Sequence, residues 1–94
     1  MSTEAAYLRA IMALLARQAV PVGELEKLVA PTAKSQKLRA AYNLCDGERQ
    51  QSDIAKAVGL DPGNFSKALK KWESAGIIVR TPNPMHVYPL PEEK

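Results

Sequence analysis

The stretch from Ala55 to Trp72 limits what this chain can fold into more than any other. Two helices can cross closely at a turn of about three to four residues only if a small side chain sits at the contact and a glycine makes the corner. Ala55 is the small contact residue, Gly59 the corner and Leu60 the apolar plug behind it. Asp61 then caps a new helix, and Pro62 takes its first position, where a missing N–H costs nothing. Phe65, Leu69 and Trp72 recur at helical spacing as the inward face of that helix, and Gly76 stops it. A helix over residues 62–75, seated on its predecessor, follows from this pattern.

Upstream, Ser2 or Thr3 can cap a first helix that holds Glu4 in its first turn and runs to about Gln18. The run Val20, Pro21, Val22, Gly23 ends it, and a second short helix over residues 24–29 has Leu25, Leu28 and Val29 as its apolar edge. Thr32 can cap a third helix reaching about Cys45, with Leu38, Ala41, Tyr42 and Cys45 on one face, closed by Asp46 and a left-handed Gly47. Ser52 reads as the N-cap of the fourth, with Ile54, Ala55 and Val58 inward. Past Gly76, residues 77–81 form a largely β-branched strand, the run Pro82, Asn83, Pro84 turns the chain, and residues 85–88 return as a second strand. Residues 91–94 are expected to fray.

This order of elements is that of a mainly α, winged helix-turn-helix fold: a three-helix core over residues 32–90 with a short β-hairpin wing. Residues 1–31 are an N-terminal helical extension, and residues 1–94 make a single domain. The run Gln51, Ser52, Asp53, Ile54, Ala55, Lys56, Ala57, Val58, Gly59, Leu60, continued by residues 64–69 and closed by residues 73–78, resembles the MarR/ArsR-type bacterial and archaeal winged-helix transcription regulators. The resemblance covers roughly residues 33–90. It implies that helix 62–75 enters the DNA major groove and that the wing touches the neighbouring minor groove or backbone. Arg80 is the wing candidate, with Asn83 and His86 behind it.

The outward face of helix 62–75 has chemistry suited to that role. At about 100° per residue, Gly63, Asn64, Ser66, Lys67, Lys70, Lys71 and Ser74 share one arc, with Glu73 at its border. Asn64 and Ser66 can hydrogen-bond base edges in a groove ~12 Å wide, while the lysines meet phosphates or guanine. Gly63 lets the backbone approach, and the helix N-terminus favours a phosphate. Gln50, Gln51 and Ser52 at the start of the fourth helix, or Lys34 and Lys37, can add phosphate contacts.

Charge and composition agree with this reading. The formal charge is +3, from 13 basic and 10 acidic side chains. Arg9, Arg17 and Lys27 balance Glu4, Glu24 and Glu26, so the whole excess lies after Pro31. Cys45, the only cysteine, excludes an internal disulfide and lacks the paired cysteine of metal-sensing relatives; on an apolar face it reads as core. A lone His86 has no second ligand at metal spacing, and no phosphate loop or nucleophile–base pair is present. Neither enzyme activity nor a metal or other cofactor is expected. The apolar stretch of residues 8–15 is too short to span a bilayer, and Glu4 sits where a leader needs positive charge, so a cytoplasmic protein is expected.

The first helix carries more apolar surface than one core-facing stripe needs. Tyr7, Leu8, Ile11, Met12, Leu14 and Leu15 cannot all face one small core, which predicts a homodimer built on this helix. A dimer also lets two recognition helices read half-sites about one helical turn apart. The leading functional expectation is a DNA-binding transcription regulator that acts as a repressor by occupancy. The alternatives are a winged-helix protein-interaction module, or an architectural or replication protein that binds DNA with little sequence preference.

Overall fold

A computed structural model describes residues 3–32, 35–80 and 82–91. Helices α1 (Thr3–Ala19), α2 (Val22–Val29), α3 (Gln36–Asn43), α4 (Gln51–Val58) and α5 (Pro62–Ser74) precede strands β1 (Ile78–Arg80) and β2 (Pro84–His86). The strands pair antiparallel, Ile78 opposite His86 and Arg80 opposite Pro84. The architecture is the winged helix-turn-helix expected from the element order.

The corner between α4 and α5 forms as its residues dictate. Gly59 takes φ 72°, and the Leu60 amide reaches back to the Ala55 carbonyl at 2.9 Å. This six-residue closure satisfies a carbonyl that the helix end leaves open. Asp61 accepts from the Asn64 amide at 3.0 Å, fixing the start of α5. The same closure ends α5, with Gly76 at φ 80° and the Ile77 amide on the Trp72 carbonyl at 3.0 Å.

Several boundaries differ from the sequence expectation, and at the end of α3 and the start of β1 a hydrogen bond competes for the backbone. Thr32 lies outside α3 and shares a hydrogen bond with the Ser35 hydroxyl instead of capping the helix. The third helix stops at Asn43, short of Cys45, so Gly47 does not close it. The Gly47 amide donates to the Pro84 carbonyl at 2.9 Å, and the His86 amide donates to the Cys45 carbonyl at 2.8 Å. The turn after α3 thus forms a third edge beside the wing, bridged through Asp46 and Met85. Gln50, in extended backbone, precedes α4, and Ser52 sits inside its first turn rather than at its cap. Ile77 is excluded from β1 because its amide closes α5, and Pro84 opens β2 at a strand end, where its missing donor is harmless. Thr81 and residues 92–94 lie outside the described residues. Pro91 still offers its carbonyl to Arg39, and Leu90 exchanges two hydrogen bonds with the Asn43 side chain.

The core lies under α5. Leu25, Val29, Ala41, Tyr42, Cys45, Ile54, Ala55, Phe65, Leu69, Trp72, Ile77 and Leu90 are buried in one cluster. Trp72 meets Tyr42 edge-on at 5.5 Å between ring centroids and Phe65 at 6.2 Å. The Tyr42 hydroxyl donates to the Tyr88 carbonyl at 2.8 Å, and burial raises its pKa, so it stays a neutral donor. Cys45 is buried with its thiol directed at the Ala41 carbonyl at 3.3 Å; burial pushes its pKa up to about 12, where the thiolate nucleophile is absent at neutral pH.

Helix α1 has no buried residue and lies against one side of this body. Met12, Ala13 and Ala16 pack partly against the core. Arg9 donates to the Asp46 carbonyl at 3.1 Å and to His86 Nδ1 at 3.3 Å. A guanidinium only donates, so His86 Nδ1 must be the unprotonated ring nitrogen. Farther along, Arg17 stacks over the Tyr88 ring at 5.2 Å.

Two predictions follow from this packing. Trp72→Ala should lose about 3–5 kcal/mol of stability in chemical denaturation, and an unchanged midpoint would place the core elsewhere. His86 is buried; desolvation first, with the Arg9 guanidinium adding to it, lowers its pKa below the ordinary 6.5. A depressed imidazole contributes stability that is complete above 6.5 and lost as pH falls through the lower folded value. The denaturation midpoint should therefore drop between about pH 7 and pH 5, and less steeply in His86→Asn. Equal slopes in the two proteins would contradict this coupling.

Candidate nucleic-acid interface

Helix α5 divides cleanly between its two sides. Phe65, Leu69 and Trp72 are at most 1% exposed, while Gly63, Asn64, Lys67, Lys70, Lys71 and Ser74 face solvent and Ser66 is half-buried. The inward aromatic and leucine side chains therefore hold the polar row outward and set its rotation about the helix axis. Among the described residues, no ion pair engages Lys67, Lys70 or Lys71. Such ammonium groups can exchange their counterions for phosphates without first breaking a protein contact.

The two helix starts differ in what they can accept. A phosphate at the α5 N-terminus was expected, but the Asp61 carboxylate occupies that end through the Asn64 amide. A side chain at Gly63 would place its Cβ 3.1 Å from Asp61 Oδ2, so the small residue protects this cap. At α4 the preceding Gln50 makes no side-chain cap. Gln50, Gln51 and Ser52 line a cleft of about 370 Å³ with Ala55 and Pro62, joining the starts of α4 and α5. Ser52 is exposed there, and Gln51 is half-buried.

The wing candidates are committed within the fold. Arg80, at the end of β1, pairs through Nε with Glu73 and donates from Nη2 to Gln51 Oε1 at 3.1 Å. Asn83 donates to the Glu48 carbonyl at 3.0 Å, which ties the hairpin tip to the turn after α3. His86 is 7% exposed beneath Arg9 and cannot reach a ligand surface in this conformation. Lys37 donates to the Gly59 carbonyl at 3.3 Å, and Lys34 lies outside the described residues.

Sequence reasoning missed the partners of the arginines. The link from Arg80 to Glu73 and Gln51 closes across the Gly76 turn and between elements 29 positions apart, a distance no local pattern records. The role of Arg9 was likewise invisible, since its acceptors lie 37 and 77 positions away. Among the described residues, no group of three His, Cys, Asp or Glu side chains converges to hold a metal ion, and no single helix is long and apolar enough to cross a membrane.

Comparison with known proteins bears on the same region. A family model described as the MarR family matches residues 34–86, the span of α3, α4, α5 and the wing. No curated protein and no solved structure matched the chain. With more than half its length in that match and the winged architecture formed, the chain belongs to the MarR family, whose members are DNA-binding transcription regulators rather than enzymes.

Proposed function

We propose that this protein is a transcription regulator that binds double-stranded DNA as a homodimer, with α5 in the major groove, and represses by occupying its site. The observation that carries the reading is the row on α5: exposed lysines free of ion pairs beside Asn64 and Ser66, on a helix whose underside is locked by Phe65, Leu69 and Trp72. Lys67, Lys70 and Lys71 would supply the charge term of binding, and Asn64 and Ser66 the base readout. Ser52 and Gln51, beside the cleft at the start of α4, would meet a flanking phosphate. Gly63 would let the backbone come close. A reducing cytoplasm suits a chain whose single thiol is buried and unpaired.

Support for the dimer comes from α1. Tyr7, Leu8, Ile11, Leu14 and Leu15 are 53–68% exposed, and Met12 is half-buried. Helices α2 and α3 do not wrap this face. A shallow apolar groove continues from it past Leu8, Met12 and Ala16 to Val79 and Val87 of the wing region. Contiguous apolar surface beyond about 300–600 Å² is uncommon on a monomer and marks an interaction site. A second α1, with the same surplus, is the complementary surface that a two-fold axis would bring to it.

Selection from a random duplex pool should return a site with two half-sites about one helical turn apart. On that site, Lys67→Ala or Lys70→Ala should each weaken binding to all sequences and lower the log–log salt slope by about 0.9. Asn64→Ala should cost about 1–3 kcal/mol, mainly on the selected sequence. Lysine variants that bind as tightly as the wild type would move the interface to another face, and binding insensitive to salt would favour a protein-interaction module. Separately, sedimentation should give a dimer at tens of micromolar and a monomer for Leu15→Glu, a substitution at an exposed position that leaves the core intact. A wild-type monomer would remove the dimer.

A further inference from the structure

We propose that Arg80 acts as a positioning residue for the DNA-reading surface: it neutralises Glu73 at the edge of the lysine row and turns the Gln51 amide so that its N–H groups are left for a phosphate. The inference rests on the DNA-binding reading above and assigns to Arg80 a role different from direct groove contact.

A guanidinium carries only N–H donors, so both groups it meets must present oxygen. Arg80 Nη2 lies 3.1 Å from Gln51 Oε1, which identifies the atom of the Gln51 amide that faces the wing. The amide nitrogen is then at the opposite corner, with neither proton hydrogen-bonded among the described residues, on a side chain that lines the cleft at the start of α4. Were Arg80 absent, that amide would rotate freely, and half of its orientations would aim an oxygen at an incoming phosphate.

Electrostatics give the second half. Glu73 stands three residues after Lys70, one helical turn along the same side, and borders the acid-free arc. An unpaired carboxylate there would repel the phosphates that the lysines attract. Arg80 Nε is bonded to Glu73, and the two side chains remain only 37% and 34% exposed, so each screens the other. Together they make a neutral unit, which releases no counterion on binding. Because β1, α4 and α5 each contribute one member, the contact also holds the hairpin at a fixed angle to the recognition helix.

The test is duplex affinity as a function of salt, on a mixed-sequence duplex of about three helical turns or on a selected site, for the wild type, Arg80→Gln, Glu73→Gln, Gln51→Ala and two double variants. All affected side chains are partly exposed, and circular dichroism checks that each variant folds. Arg80→Gln should weaken binding roughly three- to tenfold. Adding Glu73→Gln should restore most of that loss, because no bare carboxylate remains. Gln51→Ala should weaken binding in the wild-type background, yet add little once Arg80→Gln is present, since the amide is no longer aimed. If instead Arg80 touches phosphate directly, Arg80→Gln lowers the salt slope by about 0.9, Glu73→Gln fails to rescue it, and the Gln51 and Arg80 losses multiply. That result overturns the proposal while leaving the DNA reading intact. A wild-type chain that binds no duplex would remove both.

Discussion

Trp72 is the interaction on which the rest depends. Its ring stands edge-on to Tyr42 of α3 and Phe65 of its own helix, and aromatic pairs of this geometry add about 0.5–1.5 kcal/mol beyond the area they bury. Tyr42 carries the constraint onward, because its hydroxyl also reaches the Tyr88 carbonyl just past the wing. Helices α5 and α3 and the hairpin are thereby tied to a single buried cluster. The rotation of α5, and hence the direction of its lysine row, is a consequence of where three inward side chains found room.

Around that cluster the arginines are drawn into contacts. Every arginine in the chain is engaged: Arg9 on the Asp46 carbonyl and His86, Arg17 over Tyr88, Arg39 on Glu26 and the Pro91 carbonyl, Arg49 on Asp46, and Arg80 on Glu73 and Gln51. The planar fork of a guanidinium suits this work, since it can satisfy two acceptors on different elements at once. The lysines of α5 are held by no such contact. Of the exposed lysines, Lys67, Lys70 and Lys71 stand together on α5.

Helix α1 is joined to the body in another way. It buries no residue completely, and its polar attachment runs through Arg9 and a neutral His86. Met12, Ala13 and Ala16 pack against the body, while Leu8, Ile11 and Leu15 are exposed along the groove beside Val79 and Val87. An element attached this lightly, with its hydrophobic face outward, has the balance of forces of an association surface rather than of a core helix.

Local chemistry in the sequence determined the elements and the orientation of the site. Asp61 and Pro62 start α5, Gly59 and Gly76 close α4 and α5, and the spacing of Phe65, Leu69 and Trp72 dictates which side of α5 is polar. All of these act within about six residues, so the linear pattern contains them. The end of α3 at Asn43 fell to the tertiary structure. The turn from Cys45 to Gly47 is drawn into backbone pairing with the wing. The same holds for the partners of Arg9 and Arg80. Hydrogen bonds between groups distant in the chain are chosen only after packing brings their elements together, and no periodicity in the sequence records that choice.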